Sequence, residues 1–124
     1  MGADPIATSI AHASAAPGSS RALSWFSVRK DAKEHGRKKM IEGAASAGSP
    51  VAVLDDVVTT GGSTIQAIEK CREGGLAIVQ VLVLVDREEE GGMRRIEEAA
   101  GSGVPVLAMF KRSDVRSAWD AQQA

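Results

Sequence analysis

Apolar positions recur at helical spacing near the start of the chain. Ala3, Ile6, Ala7 and Ile10 share one face, Asp4 can cap the helix, and Pro5 suits its first turn. This helix is expected to end before Pro17-Gly18-Ser19-Ser20. Leu23 to Val28 is short, apolar and bounded by turn residues, which predicts a strand. Val51-Ala52-Val53-Leu54 and Ala77 to Val85 are nearly continuous apolar runs, the pattern of strands buried on both faces of a parallel sheet. Between them Thr60-Gly61-Gly62-Ser63 breaks the run, and Ile65, Ile68 and Cys71 predict a helix closing at Gly74-Gly75. Gly91 to Ala100 predicts a charged helix with Met93, Ile96 and Ala100 on its inner face. Val104 to Phe110 predicts another strand, and Ser113 to Ala121 a last short helix.

Strands alternating with helices imply an α/β fold, a parallel sheet with flanking helices joined by right-handed crossovers. At 124 residues the whole chain, 1–124, reads as one domain. Residues 30–49, rich in Lys, Gly, Ala and Ser with little periodicity, read as a long mobile loop, and loops of that length are usually functional or disordered. A helix starts almost at Met1, whereas an open α/β domain usually begins with a strand.

Composition narrows the function classes. With 44% hydrophobic and 25% charged residues the chain matches a soluble globular protein. The longest apolar run, Leu76 to Val85, is too short to span a bilayer, and the start lacks a signal-peptide pattern, so no membrane role and a cytoplasmic location are expected. A net charge of −1, two Trp, two Phe and no Tyr argue against a nucleic-acid binder. The charge is nonetheless uneven: Arg29, Lys30, Lys33, Arg37, Lys38 and Lys39 stand together against only Asp31 and Glu34, and the rest of the chain is acidic. A basic run on an acidic protein is either a solvated loop or a local anion site. The single Cys71 allows no internal disulfide and, in line with Ile65 and Ile68, reads as a buried small hydrophobe; His12 reads as structural.

The chemistry concentrates in Asp55-Asp56-Val57-Val58-Thr59-Thr60-Gly61-Gly62-Ser63, between a strand and a helix N-terminus. Ligands of open α/β sheets bind beyond the carboxyl ends of strands. Glycines there let backbone N–H groups form a nest, which with Ser63 or Thr64 hydroxyls and the helix dipole holds a phosphate. Asp55 and Asp56 repel phosphate and suit sugar hydroxyls, or Mg²⁺ through water. A Walker A loop is excluded because Ser63 stands where its Lys belongs, and no Gly-x-Gly-x-x-Gly follows the strand.

This segment resembles the phosphoribosyl pyrophosphate (PRPP) motif of type I phosphoribosyltransferases. Trp25-Phe26-Ser27-Val28-Arg29-Lys30-Asp31-Ala32-Lys33-Glu34-His35-Gly36 resembles the strand and catalytic loop of the orotate branch of that family. Gly2-Ala3-Asp4-Pro5-Ile6 and Val85-Asp86-Arg87-Glu88-Glu89 resemble the same branch. The resemblance implies an N-terminally truncated type I phosphoribosyltransferase core, Rossmann-like, in which Met1 falls inside a pyrophosphate-binding loop and an N-terminal hood is missing. It implies transfer of phosphoribose from PRPP to orotate, giving orotidine 5′-monophosphate and pyrophosphate in pyrimidine biosynthesis; the alternative is a non-catalytic PRPP-binding remnant.

The roles it implies are specific. Asp55 and Asp56 would hold ribose hydroxyls, and Val57 to Ser63 (Val57, Val58, Thr59, Thr60, Gly61, Gly62, Ser63) would contact PRPP, with Thr59 to Ser63 around its 5′-phosphate. Arg29, Lys30, Lys33 and His35 would meet pyrophosphate across a homodimer interface, on a loop that closes during turnover. Lys33, His35, Asp55 and Asp56 would be catalytic, and Arg87 with Thr59 would contact orotate. Mg²⁺ would be held mainly by substrate, so no protein metal ligand is expected. These roles fit the chemistry: breaking the anomeric bond builds positive charge on ribose and negative charge on pyrophosphate, which Asp and Lys/Arg groups respectively stabilise.

Overall fold

The computed structural model describes residues 2–30 and 41–124. Helix α1 (Asp4–Ser14) is followed by strands β1 (Phe26–Val28) and β2 (Ile41–Gly43), then β3 (Pro50–Val58), α2 (Gly62–Glu73), β4 (Ala77–Asp86), α3 (Gly92–Ala100), β5 (Val106–Lys111) and α4 (Arg112–Gln123). The alternation is the expected α/β one. β3, β4 and β5 form a parallel sheet in that order, with Leu54 beside Leu82 and Leu82 beside Leu107. Parallel neighbours need crossover connections, and α2 and α3 supply them.

The core lies on one side of this sheet. Val53, Val81 and Val83 point toward α2 and α3, where they meet Ile68, Cys71, Ile96 and Ala100. Ile68 and Ile96 are fully buried, and each such side chain contributes about 1.5–3 kcal/mol relative to exposure. The opposite face corrects the expectation of strands buried on both sides. Leu54, Leu82 and Leu84 are half-buried, and Leu107 and Met109 are 51% and 58% exposed. α1 covers part of that face, and a cleft of about 320 Å³ remains between Ile6, Ile10, Leu54, Leu84 and Met109. A continuous apolar run encodes strand formation; it does not encode whether a second layer covers the strand.

Other boundaries also shift. The strand expected over 23–28 is confined to Phe26–Val28, and it pairs antiparallel with β2, Val28 opposite Ile41. β2 falls inside the span 30–49 read as loop, so that reading is corrected for residues 41–43. The physical reason is tertiary: Phe26, Val28 and Ile41 pack against the core, which stabilises a ribbon too short to announce itself by periodicity. β3 runs four residues beyond Leu54, so the two aspartates sit in the strand instead of beyond its end. Its ladder continues to Val58 opposite Asp86 because Val57 and Val58 resume the β-branched pattern. Among the described residues no helix is long and apolar enough to cross a membrane.

Candidate functional site

Alternation along β3 sends Asp55 and Asp56 to opposite sides of the strand. Asp55 turns toward α2, where its Oδ2 accepts the Ser63 hydroxyl at 3.1 Å and the Thr64 hydroxyl at 2.5 Å. Its Oδ1 accepts the backbone N–H of Asp56 at 2.9 Å. Asp55 therefore ties the end of the strand to the first turn of the helix. Asp56 faces the chain start: a methyl group on Gly2 would stand 1.8 Å from Asp56 Oδ2. The Val57 N–H donates to Asp56 Oδ1 at 2.8 Å, and this bond is the main reason the Asp56 carboxyl titrates below the usual value, partial burial opposing it. Asp56 is thus anionic at neutral pH.

Between β3 and α2 the chain turns through Thr59, Thr60 and Gly61. Gly61 has φ +84°, a left-handed conformation that a side chain would strain, and a Cβ there would also press on the Gly92 carbonyl at 2.9 Å. The N-cap residue Gly61 has no side chain to cap α2, so the first-turn N–H groups beyond Gly62 are left to meet an anion. The Gly62 N–H donates weakly to Thr60 Oγ1 at 3.3 Å. The turn is braced from behind by α3. Gly92 packs so closely that a Cβ there would lie 2.2 Å from the Thr59 carbonyl oxygen, and Arg95 donates to the Thr60 carbonyl at 3.3 Å.

Asp55, Asp56 and Ser63 line one cavity with Gly2, Asp4 and Lys30, and its volume is about 580 Å³. That is room for a small phosphorylated sugar. The base of β1 also reaches it. Lys70 on α2 donates to the carbonyls of Arg29 and Lys30, each at 2.6 Å, and Arg29 pairs with Glu42 across the ribbon at 3.1 Å. The two expected cations Lys33 and His35 lie outside the described residues. Arg87 sits where β4 ends, its N–H donating to the Val58 carbonyl at 3.0 Å and its guanidinium pairing with Glu89 at 3.1 Å.

The expected residues therefore separate into kinds. Asp56, Thr59, Thr60, Gly61, Gly62 and Lys30 lie around the cavity and the turn, whereas the Val58 side chain is 1% exposed and belongs to the core. Ser63 spends its hydroxyl on Asp55, which leaves its backbone N–H as the anion donor. Thr64, whose hydroxyl the sequence offered to a phosphate, is instead buried and donates that hydroxyl to Asp55; Lys70, Gly92 and Arg95 were not singled out by the sequence, because each acts on a residue distant in the chain. Cys71 is buried as expected, and burial raises its thiol pKa, so it is no ready nucleophile.

The chain is 47% identical over 115 residues to an orotate phosphoribosyltransferase of Aquifex aeolicus, covering 93% of this chain and 60% of that protein. Among solved structures it is similar to a phosphoribosyltransferase from Corynebacterium diphtheriae, with a TM-score of 0.74 and 36% identity, over 94% of this chain and 62% of that one. It is equally similar in fold to the Mycobacterium tuberculosis orotate phosphoribosyltransferase in complex with PRPP, with a TM-score of 0.74 and 35% identity, over 93% of this chain and 60% of that one. The chain thus spans about three-fifths of the length of the relatives it matches. No protein-family model matches it.

Proposed function

Within the type I phosphoribosyltransferases, the family to which this chain belongs, we propose that it binds PRPP at the β3–α2 turn and serves orotate phosphoribosyl transfer. One observation carries the reading. An anionic Asp56 and the uncapped N-terminus of α2 border one cavity, separated by a left-handed Gly61 turn. A 5′-phosphate suits the N–H groups of the turn, and the ribose hydroxyls suit Asp56, which accepts hydrogen bonds without repelling an uncharged sugar edge.

The same arrangement serves the bond-breaking step. Cleavage at the anomeric carbon leaves positive charge on the ribose, which the Asp56 carboxylate stabilises, and negative charge on pyrophosphate, which Lys30 stabilises from the end of β1. Lys33 and His35 join Lys30 in this role by the sequence resemblance. Arg87, bonded through its backbone to the end of β3, suits the carboxylate of orotate on the far side of the turn.

Mg²⁺ is part of this reading as a companion of the substrate. Asp55 has both carboxylate oxygens engaged by Ser63, Thr64 and the Asp56 N–H, so among the described residues Asp56 is the acid of the pair with an oxygen to spare. Such a donor set fits a cation carried by pyrophosphate, where it would neutralise leaving-group charge. A homodimer that shares the site belongs to the same proposal.

A second reading, PRPP binding without turnover, has its own support in the apolar sheet face left open at Leu107 and Met109. Calorimetric titration of PRPP with Mg²⁺ into the wild-type chain and Asp56→Asn tests the site; loss of orotate absorbance on mixing all components tests turnover. The expected result is saturable binding weakened at least ~10-fold by Asp56→Asn, the scale of losing charge-assisted hydrogen bonds. Equal affinity of the two proteins would sink the site assignment. Binding with no change in orotate absorbance would favour the second reading.

A further inference from the structure

Beyond the turn and the acid pair, one charged cluster is unaccounted for. β4 ends at Asp86, and the chain reverses through Arg87 to Gly91 with two non-glycine residues in the left-handed region, Glu88 at φ +57° and Glu90 at φ +51°. Such conformations persist when surrounding contacts hold them, and the first turn of α4 holds Glu88. The Ser113 N–H and hydroxyl both donate to the Glu88 carboxylate, at 3.2 and 2.8 Å. Arg112 donates to Glu89 Oε1 at 2.9 Å. That same oxygen also takes the Arg87 guanidinium at 3.1 Å. One carboxylate oxygen is thus shared between two arginines on different elements.

The sharing has an electrostatic consequence. Arg87 and Glu89 alone form a neutral pair, which offers little attraction to an incoming anion. With Arg112 bonded to the same oxygen, Glu89 divides its negative charge between two arginines and its hold on Arg87 is weakened. We propose that Arg112 is a specificity-determining positioning residue: by sharing Glu89 it leaves the Arg87 guanidinium available for the carboxylate of an orotate-type base. This inference rests on the reading above, in which Arg87 meets that carboxylate. Arg112 itself needs no contact with substrate; it acts through Glu89.

The test compares two nucleotides that differ by the carboxylate alone, orotidine 5′-monophosphate and uridine 5′-monophosphate. Affinities are measured by calorimetry for the full chain and for Arg112→Gln, Arg112→Lys and the double variant Glu89→Gln/Arg112→Gln. In the wild type the carboxylated nucleotide binds more tightly. Arg112→Gln is expected to weaken its binding about fivefold, the scale of one partly screened charge near a surface, and to leave the uncarboxylated nucleotide unchanged. Arg112→Lys keeps the charge and the preference. The double variant removes the competing carboxylate and regains the preference, which a merely structural role for Arg112 does not allow.

An unchanged preference in Arg112→Gln, or no recovery in the double variant, overturns the inference while leaving the site reading intact. A wild type that binds both nucleotides equally overturns the role of Arg87 and this inference with it. Failure to bind either overturns the nucleotide reading of the site itself.

Discussion

Gly92 is the position at which the fold and the anion site press hardest on each other. A Cβ there would stand 2.2 Å from the Thr59 carbonyl oxygen, 2.8 Å from Val58 Cγ1 and 3.0 Å from the Thr59 carbonyl carbon. Two of those atoms are backbone, so no rotamer change relieves the clash. The oxygen must retreat by roughly 1 Å to reach an ordinary C···O separation. Overpacking of this kind costs about 1–3 kcal/mol, and the helix-propensity gain of alanine, at most ~1 kcal/mol, is small in the first turn. For 124 residues, at about 2.1 cal/mol/K of unfolding entropy per residue, ~2 kcal/mol lowers Tm by about 8 °C. The control is Gly62→Ala, whose Cβ would meet nothing nearer than Thr60 Oγ1 at 3.6 Å and whose φ is not left-handed. Thermal melting followed by circular dichroism should show Gly92→Ala well below wild type and Gly62→Ala at or slightly above it. Equal melting of Gly92→Ala and wild type would refute the close packing of α3 on the turn.

Two further outcomes test the framework. Because the folded-state pKa of Asp56 is lowered from 3.8, its contribution to stability is present above the unfolded value and is lost as pH falls through the folded one. Urea midpoints of wild type and Asp56→Asn should therefore differ by a constant amount above about pH 5 and converge as pH drops below ~4; parallel curves down to the acid limit would contradict the Val57 hydrogen bond as the cause. Lys70→Met removes two donors from the carbonyls of Arg29 and Lys30, at a cost of about 1–2 kcal/mol after allowing for partial exposure, so hydrogen exchange at 26–28 and 41–43 should accelerate about 10-fold while β4 is unaffected. Unchanged exchange in the ribbon would show that Lys70 does not anchor it.

The parallel core was legible because its signals are local. Val81-Leu82-Val83-Leu84 reads as a strand in any context, and Gly74-Gly75 closes a helix wherever it stands. What a sequence does not carry is the layer above a strand. The same four residues alternate between fully and half-buried positions because α2 and α3 pack on one side while α1 covers only part of the other. The β1–β2 ribbon was hidden for a related reason: three residues on each side are too few to show a period, and their pairing depends on Phe26, Val28 and Ile41 finding the core.

The acid pair and its glycine turn were legible by residue type, since few sequences place two carboxylates, a left-handed glycine and a helix start in that order. Their division of labour was not. Alternation along a strand makes adjacent aspartates point apart, so once β3 extends through Asp55 and Asp56 they reach the cavity from different sides of the strand and with different partners. Asp55 turns to Ser63 and Thr64 and holds the helix start in place, and Asp56 is left to face the cavity beside Gly2. The strand extension, four residues beyond the apolar run, is what separates a structural carboxylate from one available for binding. That boundary is set by the ladder to β4 and by Val57 and Val58, whose β-branched side chains carry the strand past two residues that disfavour it.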